Sequence, residues 1–237
     1  MRRNLGALVL VGLAACSALV DTSGLAGGGP GAEITDGGAV GDAAAAPADA
    51  GVSSVGDGGD AGPAPCVPSD VIETLVAVPR VAVDDPRIGT VAWNAPGNAT
   101  AKDNAFATTA TMDGEVITHW LLTSDYGLAV PPRSLIRGFV VVVSRAAGFP
   151  DEIGDEGVAL VQRGSPGVPK SLPGAWPKTV AQATYGSRSD TWGQSWSAED
   201  VASAEFGVAI AARGLPAYSE EARVDYVEVT VHFSQCR

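Results

Sequence analysis

The chain has 237 residues and a formal net charge of −12, with 27 acidic side chains against 15 basic ones. An acidic chain with no basic run argues against nucleic acid as a partner. No CxxC or HExxH run is present, which argues against a zinc site. The chain opens Met1-Arg2-Arg3-Asn4 and then runs uncharged from Leu5 to Ala14. A basic start followed by a short apolar run reads as an export signal, too short to span a bilayer. The signal is expected over residues 1–15.

The end of that run, Leu13-Ala14-Ala15-Cys16, resembles the lipobox of bacterial lipoproteins. The resemblance implies cleavage before Cys16, lipidation of its sulfur and a membrane partner through the lipid anchor. Several acyl chains hold a protein stably where a single one does not. Ser17, rather than Asp, follows the cysteine, which resembles an outer-membrane sorting signal of Gram-negative bacteria. The expected location is therefore the cell envelope. With Cys16 lipidated, Cys66 and Cys236 remain in a compartment that permits disulfides. They flank almost the whole of the following domain, and a bond between them is expected to tie its two ends together.

Residues 17–65 are Gly, Ala, Asp, Pro, Ser and Val for the most part, with seven acids, no base and no aromatic residue. Such a segment buries too little apolar surface to offset chain entropy, so residues 16–65 are expected to be a disordered tether. Its typical reach is about 40 Å. Residues 66–237 form the expected folded domain, with 20 acids and 13 bases.

Short β-branched runs recur through that domain, at 71–78, 116–123, 136–145, 157–163, 206–213 and 222–233, bounded by Gly, Pro and Asp. In the last run Val227, Val229, Val231 and Phe233 alternate with Glu228, Thr230 and His232, which predicts one buried and one solvated face. Phe139–Val143 is apolar on both faces, which predicts a central strand. A strand at 126–130 is expected to end at Pro131-Pro132. Gly127 and Gly207 each follow an aromatic residue, where a missing Cβ permits a bulge or a close backbone approach. The run "WSAEDVAS" predicts one helical turn, with Ser197 as N-cap and Asp200 closing a capping box. Many short strands and a single helical turn predict an all-β fold, a two-layer antiparallel β-sandwich.

The stretches "VAWNAPGNATAKDNAFATT", "YGLAVPPRSLIRGFVVVVSR", "AWPKTVAQATYGSRSDTWGQSWSAEDV", "FGVAIAA" and "ARVDYVEVTVHF" together resemble a β-sandwich module of bacterial surface and phage-associated proteins. The resemblance spans about residues 90–233 and implies a jelly-roll-like or related sandwich with no assigned catalytic residues.

Candidate chemistry is sparse. His119 and His232 are the only histidines, and no G-x-S-x-G run sits between a strand and a helix, so triad hydrolysis is not expected. The densest carboxylates, Asp151, Glu152, Asp155 and Glu156, offer oxygens for calcium but lack the spacing of a known calcium loop, and a solvated loop is the plainer reading. Asp84-Asp85 forms a second acidic pair. No metal and no cofactor are expected. The richest candidate surface is the stretch holding Trp176, Tyr185, Arg188, Asp190, Trp192 and Trp196. Rigid rings beside hydrogen-bonding groups can hold sugar rings or a protein partner, or they can simply cap one end of the sandwich. The functional expectation is a non-catalytic, lipid-anchored envelope protein for adhesion or interaction, with an envelope protein or a glycan as partner. The alternative is a carbohydrate-binding module using residues 176–196.

Overall fold

The computed structural model describes residues 66–149, 152–216 and 220–237. The expected signal segment, Cys16, the tether to residue 65 and Asp151 lie outside the described residues. The chain runs through β1 (Glu73–Ala77), β2 (Val81–Asp85), β3 (Trp93–Asn94), β4 (Ala107–Thr109), β5 (Trp120–Ser124), β6 (Leu135–Ala147), β7 (Ile153–Gln162), β8 (Ser165–Pro166), β9 (Ala181–Gly186), α1 (Ala198–Ala202), β10 (Gly207–Gly214) and β11 (Ala222–Ser234).

The strands form two antiparallel sheets. The first has the order β3-β4-β11-β6-β9, with β1 also paired to β11, and the second has the order β2-β5-β10-β7-β8. From β4 onward the chain crosses repeatedly between the sheets. The resulting orders 4-11-6-9 and 5-10-7-8 are those of a jelly roll, two four-stranded sheets built from Greek keys. The expected all-β sandwich is the fold observed.

Alternation builds the core. Val227, Val229, Val231 and Phe233 of β11 face Val208, Ile210, Val158, Leu160 and Leu121 of the second sheet, and all are 0–2% exposed. Full burial of each such side chain stabilises the fold by about 1.5–3 kcal/mol. A ring cluster closes one end: Phe139 lies 5.0 Å from Trp196 and 5.6 Å from Phe206, and Tyr126 lies 5.8 Å from Phe206. Cys66 and Cys236 are disulfide-bonded across a separation of 170 residues, as expected. In the chain-entropy account so long a loop stabilises by about 5 kcal/mol.

The helical turn is as read. The Ser197 side chain accepts from the Asp200 amide at 3.1 Å, and the Asp200 carboxylate accepts from the Ser197 amide at 3.1 Å. Asp200 also binds Gln162 Nε2 and Arg163 Nε, each at 3.0 Å, which docks α1 onto the end of β7. Burial works against ionisation of this carboxyl, but these donors outweigh it and hold its pKa below the ordinary value. A Cβ on Gly207 would overlap the Thr123 carbonyl, and Gly127 sits at φ 63° against the Arg80 guanidinium. Both are close approaches.

Other expectations are corrected. Residues 126–130 form no strand. Asp125 turns the chain at φ 54°, and Tyr126, Leu128 and Val130 then enter the core without ladder partners. Strand β5 begins at Trp120, so His119 precedes it. Strand β6 is central, between β11 and β9, as expected, and Val140 and Val142 on its outer face are half-buried. "DEIGDEG" is not a solvated loop. Strand β7 starts at Ile153, and Glu152 and Asp155 are each 6% exposed.

Candidate functional site

Each residue of the aromatic stretch has a structural placement. Trp176, Tyr185 and Trp192 are 1%, 2% and 2% exposed, so their ring faces are occupied by protein. Trp192 Nε1 donates to the Phe139 carbonyl at 3.3 Å, and Trp196 Nε1 donates to the Thr191 carbonyl at 3.0 Å. Lys170 lies 5.2 Å from the Trp192 ring centroid and pairs with Asp190 at 3.0 Å. Arg188 is exposed. The rings cap and fill the sandwich, which was the plainer of the two sequence readings.

Trp176 and Tyr185 meet a buried ion pair. Arg145 continues the inward parity of Val141 and Val143 on β6, and its Nη1 donates to Asp155 of β7. The same carboxylate accepts from Trp176 Nε1 at 2.7 Å, the Tyr185 hydroxyl at 2.8 Å and the Leu172 amide at 2.9 Å. Arg145 also donates to the Tyr185 hydroxyl at 2.7 Å and lies 5.0 Å from the Trp176 ring centroid. Burial pushes the Tyr185 hydroxyl up to about 12 and the Arg145 guanidinium down. Asp155 is thus saturated by donors from β6, β7's own neighbours and β9, a structural junction.

Asp155 and Glu156, two of the carboxylates considered for calcium, point apart. Asp155 points into the sandwich. Glu156, one residue on, points outward, 3.9 Å from Arg213, because a bulge opposite Ala211/Ala212 resets the register. Among the described residues no group of three His, Cys, Asp or Glu could hold a metal ion.

His119 and Asp84 pair at 2.8 Å. Asp84 also accepts from the Trp93 amide at 2.7 Å, and Trp93 Nε1 donates to the His119 carbonyl at 2.9 Å. The three residues close a ring of hydrogen bonds that fastens β2 to β3. Asp85 is held by Arg87, whose guanidinium keeps its carboxyl below the ordinary range.

The most open surface is the outer face of the first sheet. Antiparallel sheets commonly leave one face solvated. Register places Val76, Thr230, Val140 and Gly186 in one row, and Glu228, Val142 and Thr184 in the next. One end is walled by the segment after the 3-10 turn Pro96–Ala99. There Lys102 lies 5.4 Å from the Tyr226 ring centroid, and the Asn104 amide donates to Asp225 at 2.9 Å. Gln182 Nε2 donates to the Tyr226 hydroxyl, and a notch of about 290 Å³ opens among these residues. The other end is walled by residues 187–190, which run so close over Gly138 that a Cβ there would meet their backbone. His232 lies at this end, 3.2 Å from the Thr74 hydroxyl, with Arg188 nearby. From Tyr226 to His232 the trough is about 20 Å long.

The sequence showed Glu228, Thr230 and His232 on a polar face. It did not show Gln182 and Thr184, because β9 is short and alanine-rich. Their signal was the alternation with Ala183 and Tyr185, which are 8% and 2% exposed.

No family model matches this chain, and no curated protein sequence matches it. A solved structure described as "CBM4 structure and function" aligns with 69% of this chain and 92% of its own, at 12% identity and a TM-score of 0.28. At that score the likeness assigns neither topology nor ligand, and the jelly roll stands on strand order.

Proposed function

We propose that this chain is a lipid-anchored protein of the bacterial cell envelope that displays a non-catalytic jelly roll as a binding module for adhesion or interaction. The observation that carries the reading is the Cys66–Cys236 bond. It accounts for two of the three cysteines and suits an oxidising compartment. It leaves Cys16 as the odd cysteine, at the end of the export signal in the sequence Leu-Ala-Ala-Cys. Ser17 favours the outer membrane. The likeness of residues 90–233 to surface-protein modules supports display rather than catalysis.

The test is metabolic labelling with an alkyne fatty acid in the expressing bacterium. The expected result is a labelled band from the native chain and none from Cys16→Ser, which stays at precursor mass. A processed chain with no acyl-glyceryl mass on Cys16 overturns the reading.

A second reading follows from the outer trough. Thr230, Thr184, Gln182 and His232 offer hydroxyl, amide and imidazole groups beside the aliphatic floor of Val140 and Val142. A linear glycan would lie along it, held by hydrogen bonds. Glycan-array binding that Thr184→Arg and Thr230→Arg abolish, with the fold intact, supports this reading. Binding unchanged by both substitutions removes the trough as its site.

A further inference from the structure

The end of the sandwich at the disulfide carries an exposed apolar patch beside several arginines. Val67 is 62% exposed, Val71 58%, Ile72 38% and Leu135 39%. Pairing near the disulfide gathers them. The Arg237 amide donates to the Val67 carbonyl at 2.9 Å, Pro68 bridges Cys236, and Leu135 pairs with Ser234. The Val71 amide is held by the Ser69 hydroxyl at 3.1 Å. The same patch holds three cationic side chains. Arg137 Nε donates to the Ser234 hydroxyl at 3.0 Å, Arg237 Nη2 reaches the Ser69 hydroxyl at 3.4 Å, and the Arg133 backbone carbonyl lies 3.8 Å from the Cys66 sulfur of the disulfide. Arg133 and Arg237 are exposed, and Asp70 and Glu73 are the acids of the adjoining segment. The domain as a whole has 20 acids against 13 bases, so this end departs in sign from the rest.

We propose that this tip seats on an anionic lipid bilayer, with Val67, Val71, Ile72 and Leu135 entering the headgroup boundary and Arg133, Arg137 and Arg237 meeting lipid phosphates. Apolar side chains flanked by arginine are the pairing that a negatively charged leaflet selects. The choice of a bilayer also uses chain connectivity and rests, in that respect, on the anchoring reading. Residues 17–65 join Cys16 to Cys66, so an anchored chain enters the domain at this patch. The outer trough runs along β11 away from the tip, which leaves it open to a partner while the tip is seated.

The test uses a truncated chain that begins at Ser17 and so lacks both the signal segment and the acylation site. Its outcome is therefore independent of the labelling experiment. Cosedimentation is measured with vesicles of phosphatidylcholine containing phosphatidylglycerol and with pure phosphatidylcholine vesicles. Binding is expected to the anionic vesicles only and to weaken as salt rises. Arg133→Gln or Arg237→Gln should each lower it about fivefold. The triple change Val67→Ser, Val71→Ser, Leu135→Ser should abolish it, with the unfolding midpoint confirming an intact fold. No binding to anionic vesicles overturns the proposal, as does binding that none of these variants alters. Concentration-dependent self-association that the triple change abolishes, without vesicle binding, assigns the patch to a second copy of the chain and overturns it too.

Discussion

On the outer face of the second sheet Ala159, Val161, Ala209 and Ala211 are 0–1% exposed, whereas on the outer face of the first sheet Val140, Val142, Glu228 and Thr230 remain half-exposed. The difference lies in what each sheet points outward. The second sheet points out small residues, and Trp120, Ile88 and Leu122 pack over them. The turn carrying Ile88 is fixed by Arg87, which donates through Nε to Asp85 at 2.6 Å and through Nη1 to the Gly164 carbonyl at 2.9 Å. The first sheet points out β-branched and polar residues, which stay half-exposed. The centre of the second sheet's outer face is finished by the protein itself, although Val81 and Val83 at its β2 edge are 43% and 42% exposed.

The sharpest perturbation lies between the faces. Asp155→Ala strands Arg145 without its carboxylate in the interior, and the loss should be about 3–5 kcal/mol in urea unfolding, more than any change on either outer face. Next, Trp120→Ala should cost about 3 kcal/mol, because it uncovers the alanine floor of the second sheet. Thr230→Ala, its counterpart on the open face, should stay within about 0.5 kcal/mol. Equal losses at the two positions would erase the distinction between the faces. The smallest effect concerns His232, whose pKa is lowered from the ordinary 6.5 by burial and by Arg188. The folded state then binds the proton less readily than the unfolded one. Stability should rise with pH from the depressed value up to 6.5 and be level above it. NMR titration should place the imidazole midpoint below 6.5, and Arg188→Gln should raise it.

Much of this architecture was legible because alternation is a local signal. The β11 pattern named its inward set correctly, and Ser197 with Asp200 announced the capping box of α1. What was misread depended on partners distant in sequence. Tyr126–Val130 has strand-like residues but no neighbour to pair with. The acids of "DEIGDEG" looked solvated because the donors that satisfy Asp155 come from residues 145, 172, 176 and 185. The same donors occupy two of the rings that had suggested an open platform.

By itself the sequence determined the all-β class, the buried face of β11 and the helical turn. Each follows from side-chain period or capping chemistry, which neighbouring residues decide. Only the tertiary structure decided which outer face is covered, where the aromatic rings point and that Arg145 and Asp155 meet. Burial and pairing belong to atoms brought together from distant parts of the chain, and no local pattern encodes that meeting.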